Sequence, residues 1–264
     1  MPAIALVGAT GKMGRALVRA ASERADVNIC GAAASPGSRY LDQDVGVVAG
    51  HKAIGVRVTS DLASALKDVQ VAVDFALPGD LEARARAVAA AGCAWILGTT
   101  GLNAAHRIAI DAAARKVAVL VSPNMSIAVQ LLMRLVDEAA RALPKDFDID
   151  IHETHHRDKI DAPSGTARRL GRIAAAARGQ SVEEGNVVRS PGSCARKPGA
   201  VEFSVTRAGD IVGEHRVIFA GLGEQLVLEH RATDRMAFAR GALAAAVWIA
   251  GRPAGRYEMA NLIA

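Results

Sequence analysis

Short apolar runs alternate with helically spaced stretches through the first half of the chain. Ala3-Ile4-Ala5-Leu6-Val7 contains no polar residue, the pattern of a strand covered on both faces. Residues 15–25 follow with helical spacing, Leu17, Val18 and Ala21 forming the apolar stripe. A second strand is expected over 27–33. Further strands are predicted at 71–75, 94–97 and 117–121. Helices separate them, one opened by Pro78-Gly79-Asp80 and running to 91, the other opened by Asn103 and running to 116. Residues 35–55, rich in Gly, Ser and Asp, read as a long loop. A short strand at 56–58 and a short helix over 62–67, capped by Asp61, come next. This alternation predicts a Rossmann-like, doubly wound parallel sheet.

The period changes after a helix over 127–143. Residues 146–152 alternate polar and apolar strictly, as in a half-exposed strand of an antiparallel sheet. Stretches within 201–205, 215–219 and 225–230 alternate similarly. The second half thus reads as a smaller α+β domain, an open, mostly antiparallel sheet plus a helix over 167–177. Residues 183–199 are polar, contain Gly and Pro, and read as a mobile loop. Residues 234–250 read as an amphipathic helix carrying Met236, Phe238, Leu243, Val247 and Trp248. An exposed antiparallel face needs a partner, so association through this sheet is expected.

Composition narrows the function classes. The 264 residues are 51% hydrophobic, yet only 3% aromatic. A base-stacking nucleic-acid surface would need more aromatics. The net charge of +5 is scattered, with no long Lys/Arg run. It favours small anionic ligands over a nucleic-acid footprint, although a basic proteome accounts for it equally well. Cys30, Cys93 and Cys194 form no CxxC pair. The apolar settings of Cys30 and Cys93 predict buried free thiols and a reducing compartment. Residues 1–4 lead straight into a strand pattern, without a signal-peptide pattern. The apolar run 242–250 is too short to span a membrane. A cytoplasmic protein is expected, with neither nucleic acid nor membrane as partner.

Gly8-Ala9-Thr10-Gly11-Lys12-Met13-Gly14 joins the first strand to the first helix. Its glycines permit a tight turn and close backbone approach to a pyrophosphate, and the helix N-terminus supplies the field. The same glycines could serve a tight turn without a ligand. Their placement inside a βαβ unit favours the dinucleotide reading. Gly98-Thr99-Thr100-Gly101 and Ser122-Pro123-Asn124-Met125-Ser126 end two further strands. Ligands of open α/β sheets bind at that edge. The candidate cofactor contacts are therefore Gly8, Ala9, Thr10, Gly11, Lys12, Met13, Gly98, Thr99, Thr100, Ser122, Pro123, Asn124 and Met125.

The densest chemistry lies in Glu153-Thr154-His155-His156-Arg157-Asp158-Lys159-Ile160-Asp161-Ala162-Pro163-Ser164-Gly165-Thr166. Histidine exchanges protons near neutral pH, and lysine holds an anion as a point charge. A Ser-Gly-Thr helix entrance presents backbone N–H groups to a carboxylate or phosphate. Any one of these residues fits a solvated loop before a capped helix. Together they supply a proton donor, a counter-charge and an anion cradle. His152-Glu153-Thr154-His155-His156 also matches the zinc-peptidase pattern H-E-x-x-H. That chemistry needs a helix, whereas the alternation into His152 predicts a strand and Pro163 prevents a long helix. No metal is assigned.

Residues 153–167 resemble the E-x-H-H-x-x-K-x-D-A-P-S-G-T-A signature of the 4-hydroxy-tetrahydrodipicolinate reductase (dihydrodipicolinate reductase) family of bacterial lysine and diaminopimelate synthesis. Residues 7–14, 98–101, Asn124 and 207–215 extend the resemblance over nearly the whole chain. It implies reduction by NADPH or NADH to give tetrahydrodipicolinate. It further implies that His155 protonates the ring carbon beside the one receiving hydride, and that Lys159 stabilises charge and holds the substrate. His156 would contact one substrate carboxylate, and Gly165 and Thr166 would bind a carboxylate at the helix entrance. The implied substrate is a dicarboxylate, which suits the nearby cations. The implied architecture is a dinucleotide-binding domain over 1–126 completed by 236–264, a substrate-binding and oligomerisation domain over 127–235, and a homotetramer.

Two departures from the family pattern matter. The position closing the second strand, where an acidic residue often holds the adenosine ribose, falls near Ala34-Ser35-Pro36. Ser35 is the candidate contact there. Without a carboxylate the balance tilts to NADPH, with Lys12 and Arg39 toward a 2′-phosphate. Ala76-Leu77-Pro78 lacks the arginine that some relatives carry before the proline. A nucleotide-sensing regulator on a dehydrogenase fold is the competing class, and the intact donor, counter-charge and cradle residues argue against it.

Overall fold

The structure, a computed structural model, describes residues 1–180, 196 and 199–263. The first six strands are β1 (Ala3–Val7), β2 (Asn28–Ala33), β3 (Val58–Thr59), β4 (Val71–Asp74), β5 (Ala94–Leu97) and β6 (Ala118–Val121). The helices between them are α1 (Lys12–Ser22), α2 (Val45–Val48), α3 (Leu62–Ala65), α4 (Leu81–Ala91) and α5 (Ala104–Ala114). Then come α6 (Ile127–Ala142), β7 (Asp148–His155), α7 (Gly165–Ala177), β8 (Val201–Arg207), β9 (Gly213–Ala220) and β10 (Gln225–Ala232). The chain closes with α8 (Met236–Ile249) and β11 (Gly255–Tyr257). It divides into two units, Met1–Ile127 with Arg235–Ala264, and Ala128–Asp234.

The first unit is built on a seven-stranded parallel sheet in the order β11-β6-β5-β4-β1-β2-β3. Successive strand side chains face opposite sides. Ile4, Leu6, Val71, Val73, Ile96 and Leu120 therefore enter one core with α1 and α8. Ala5, Ala72, Trp95, Leu97 and Val119 enter the other, with α4 and α5. Continuous apolar runs are what two covered faces require. The second unit is a four-stranded sheet in the order β10-β9-β7-β8. Only the β7–β8 pair is parallel, so the sheet is mixed and mostly antiparallel. One face packs on α6 and α7 through Ile149, Ile151, Phe203, Val217 and Phe219. The doubly wound parallel sheet and the smaller, mostly antiparallel sheet are both as expected.

Several local expectations need correction. Residues 35–55 are not all loop: Asp44 accepts from the N–H groups of Gly46 and Val47 and nucleates α2. The short strand falls at Val58–Thr59 rather than 56–58. The chain also adds β11 beside β6, three residues with no apolar run to announce them. Cys30 is exposed on β2, while Cys93 is buried; both are free thiols. Cys194 and most of 183–199 lie outside the described residues. The C-terminal helix is not amphipathic in the expected sense. It buries Ala239, Gly241, Ala242, Ala245 and Ala246 together with Leu243 and Ile249, while Phe238 and Trp248 are only half-buried. Small residues let its backbone come close to its neighbour. Among the described residues, no helix is long and apolar enough to cross a membrane.

That close approach makes a prediction. A Cβ placed on Gly241 would collide with the Met125 carbonyl, a backbone group that no side-chain rotation can move. Gly241→Ala should destabilise the first unit by about 1–3 kcal/mol. Urea unfolding measures this, and an unchanged midpoint would contradict the packing described.

Candidate active site

In the first unit, β1 lies between β4 and β2. The chain winds one way from β1 to β2 and β3, and the other way from β4 through β5 to β6. The switch point of the sheet is thus at the carboxyl ends of β1 and β4. The 8–13 turn sits at that point. Gly8 adopts φ +79 and hydrogen-bonds the Ala33 carbonyl at 2.9 Å; Ala9 shares the same acceptor at 3.0 Å. A Cβ on Gly8 would stand 3.0 Å from the Ala76 nitrogen, and one on Gly14 would run into the Ala9 and Gly8 carbonyls. Gly11 caps α1 without any side-chain bond to its first turn. Lys12 is exposed beside it. The turn is a backbone cradle that a side chain would fill, with helix N–H groups at its lip. This is the shape and field a pyrophosphate requires.

The neighbouring loops are fastened to it. The Ala76 N–H donates to the Asp74 carboxylate at 2.9 Å, and Thr99 Oγ1 donates to the Ala76 carbonyl at 2.9 Å. Phe75 fills the space that a side chain on Gly98 would need. Asp74 is fully buried, and burial pushes its carboxyl upward against the pull of Arg84 at 2.8 Å. Arg84 also reaches the Leu77 carbonyl at 2.9 Å, so an arginine from α4 braces the loop that has none of its own before Pro78. After β6, Ser122 Oγ donates to the Asn124 carbonyl at 2.7 Å, and Asn124 Oδ1 accepts from the Ser126 N–H at 2.9 Å. Pro123 and Thr100 are exposed, and Met125 is buried. Ser35 is exposed just past β2. All the candidate cofactor contacts therefore share the carboxyl edge of five adjacent strands, β6 to β2.

In the second unit, β7 sends Ile149, Ile151, Glu153 and His155 to the covered face and His152 to the exposed one. The zinc-peptidase pattern is thus split across two faces of a strand. Glu153 and His155 end the apolar row with a polar patch, and register adds Arg207 beside His155 and His215 beside Glu153. His155 Nδ1 lies 2.5 Å from Glu153 Oε2. Arg207 clamps the same carboxylate with two bonds, at 2.9 and 2.8 Å, and Ser164 donates its N–H to Oε1 at 2.9 Å. Burial alone would raise the Glu153 carboxyl. The bonds from His155 and Arg207 outweigh it and hold the group down at about 2.

Arg207 does a second thing. It donates to the Lys159 carbonyl at 3.1 Å and the Asp161 carbonyl at 2.6 Å. The loop carrying Lys159 is thereby tied to the strand carrying His155. The Lys159 ammonium sits 2.7 Å from the Asp161 carboxylate, whose pKa falls because that bond outweighs its desolvation. Ser164 caps α7, accepting from the Ala167 N–H at 3.2 Å, and Gly165 and Thr166 open the helix, with clear space over the Gly165 Cα. His156 is half-buried at the turn where the Lys159 N–H closes on its carbonyl. The structure therefore gathers His155, His156, Lys159, Gly165 and Thr166 at one end of this unit.

Four residues of the cluster had no assigned role: Glu153, Ser164, Arg207 and His215. Alternation puts Glu153 on the face of His155, a signal present in the sequence. The pairing of β7 with β8 and β9 is non-local and leaves no such trace. His215 is buried, stacks edge-on with His155 at 5.2 Å and meets Ser164 Oγ at 3.1 Å.

A Rossmann-type sheet with a glycine turn at its switch point, joined to an α+β unit with a polar cluster, defines the two-domain dehydrogenase class of fold. The chain belongs to the dihydrodipicolinate reductase family: the family model "Dihydrodipicolinate reductase, N-terminus" matches residues 2–125 and "Dihydrodipicolinate reductase, C-terminus" matches 128–263. It is 43% identical to a 4-hydroxy-tetrahydrodipicolinate reductase of Ruegeria sp. (strain TM1040), over 99% of this chain and 98% of that one. It is 45% identical to the enzyme of that name from Afipia carboxidovorans, over 98% and 95% of the two chains. Among solved structures it is similar to a dipicolinate-bound dihydrodipicolinate reductase from Paenisporosarcina sp. TG-14, with TM-score 0.76, 21% identity and coverage of 98% and 97%.

The buried His215 makes a measurable difference. Burial first, then the neighbouring His155, lowers its pKa from 6.5 to about 3. The unfolded chain therefore binds a proton below pH 6.5 that the folded chain refuses until about 3. Stability is full above that window and falls as the pH drops through it, by up to about 5 kcal/mol. Denaturant midpoints measured from pH 7 to 4 should fall in the wild type and fall less in His215→Gln. Parallel slopes would mean that His215 is not held neutral.

Proposed function

We propose that the chain catalyses the NAD(P)H-dependent reduction of 4-hydroxy-tetrahydrodipicolinate, or dihydrodipicolinate, to tetrahydrodipicolinate in lysine (diaminopimelate) biosynthesis. The observation that carries this reading is the tied cluster of the second unit. His155, Lys159 and the α7 entrance are held together by the Glu153–Arg207 pair. A reduced nicotinamide dinucleotide, when bound, supplies hydride. Its pyrophosphate suits the 8–13 turn and the uncapped start of α1.

His155 acts as the general acid, delivering a proton to the carbon beside the one that accepts hydride. Lys159 offers positive charge to the substrate. An ammonium has three donors, so the bond to Asp161 leaves two for a carboxylate. Gly165 and Thr166 receive a second carboxylate at the α7 N-terminus, and His156 flanks it. The family relative bound to dipicolinate holds a small dicarboxylate of this kind. The second unit is the substrate-binding and oligomerisation domain. A homotetramer forms through the sheet face bearing His152, Ser204 and Arg216, all exposed. The enzyme works in the cytoplasm.

NADPH is the preferred cofactor. No carboxylate follows β2 in Ala34-Ser35-Pro36. The guanidinium groups of Arg39 and Arg15 both stand 4.9 Å from the Tyr40 ring, and Arg39 donates to the Tyr40 hydroxyl at 2.7 Å. Two cations thus border the loop where a 2′-phosphate would lie.

Two measurements check these assignments. His155→Ala and Lys159→Ala should each lower kcat by roughly 100-fold or more, with nucleotide binding retained by fluorescence titration. Wild-type turnover in both would end the reading. The kcat/KM ratio should favour NADPH over NADH, and Arg39→Ala should narrow it by about tenfold, the equivalent of one charge-assisted bond. A preference for NADH in the wild type would refute the cofactor assignment.

A further inference from the structure

An imidazolium can release its proton from either nitrogen, and naming His155 the acid does not say which. The charged and titratable groups around its ring answer the question. Glu153 faces it from its own strand, Arg207 from β8 through Glu153, and His215 from β9 at 5.2 Å. Lys159 on the following loop and His230 on β10 bear on His215 from farther out.

His155 Nδ1 is 2.5 Å from Glu153 Oε2. Glu153 Oε1 accepts from the Ser164 N–H and Arg207 Nη2, and Oε2 accepts from Arg207 Nη1 as well as from His155. An ionised carboxylate can only accept. Nδ1 is therefore the donor in that bond, whether the ring is neutral or charged. Nε2 lies on the far side of the ring, against Gly213. A Cβ on Gly213 would stand 2.9 Å from Nε2, closer than packed atoms tolerate. Glycine at the start of β9 thus leaves room for that nitrogen.

We propose that Glu153, clamped by Arg207, is a positioning residue that keeps the His155 proton on Nδ1, so that Nε2 is the nitrogen that protonates the substrate, with Gly213 leaving room for Nε2. This rests on the reading of His155 as the acid. In the step, the Nε2–H bond breaks and a C–H bond forms on the substrate carbon. The electron pair of the broken bond stays on Nε2, and the imidazolium becomes a neutral ring that retains Nδ1–H. The two electrons of the reduction arrive with hydride from the reduced dinucleotide, which is oxidised. The arrangement fixes both tautomer and ring orientation before substrate enters.

Nitrogen-15 NMR of the wild-type protein without cofactor, labelled on histidine, reads the tautomer directly. A neutral His155 ring with protonated Nδ1 and bare Nε2 is expected. A ring protonated on Nε2 overturns the proposal, and this result needs no variant to fold. In kinetics, Glu153→Gln should lower kcat by roughly 100-fold with KM within about twofold. Glu153→Asp should recover part of the lost kcat. A KM raised in step with the loss of kcat, and no recovery in Glu153→Asp, would mark a structural role only and sink the proposal. Gly213→Ala should lower kcat by about tenfold or more through steric cover of Nε2. His155→Ala separates the two levels: activity there removes the acid assignment itself. Inactivity there, with wild-type kcat in Glu153→Gln, removes only the positioning role.

Discussion

A charged carboxylate inside a protein must be surrounded by donors, and the second unit is assembled around one. Glu153 is 1% exposed. Its two oxygens collect bonds from β7, from β8 and from the residue that caps α7. Removing one partner from such a buried pair costs about 3–5 kcal/mol, because the charge left behind has no water to replace it. The arrangement therefore tolerates little drift. Arg207 carries the constraint further, since the same guanidinium holds the carbonyls of Lys159 and Asp161. A demand of folding, that Glu153 be fully paired, becomes the spacing of an imidazole and an ammonium.

The first unit meets a different constraint. There the tight condition is backbone against backbone. Gly8 faces the Ala76 peptide, Gly14 faces the Ala9 carbonyl, and Gly241 faces the Met125 carbonyl. Each is a point where a methyl group would force elements apart. Asp74 and Arg84 belong to this unit's version of the buried pair, but their task is to fix the loop after β4. The result is an edge of rigid peptide groups and small side chains. A long anionic ligand needs such an edge, because it is recognised by N–H groups more than by side chains.

Much of this was readable along the chain, and the reason lies in period and spacing. Ala94-Trp95-Ile96-Leu97 is a strand as expected because four apolar residues between turns can hardly be anything else. Asp61 and Asn103 cap their helices as their side chains predict. The cluster from His155 to Thr166 was visible because its members are local in sequence. What was hidden is non-local or depends on small residues. Arg207 and His215 reach the site by strand pairing across more than fifty residues. The buried face of α8 is written in alanine and glycine, which hydropathy spacing undervalues. Cys30 looked interior because its neighbours are apolar, yet its strand turns it outward.

The strand also changes how the letters H-E-x-x-H are arranged in space. On a helix, His152 and His156 would share a face and Glu153 would stand beside them. On β7, Glu153 and His155 share the face instead, two residues apart, and His152 looks away. The carboxylate thus becomes the partner of an imidazole rather than a base beside an ion. Arg207 supplies the positive charge that balances it, with two bonds to its oxygens.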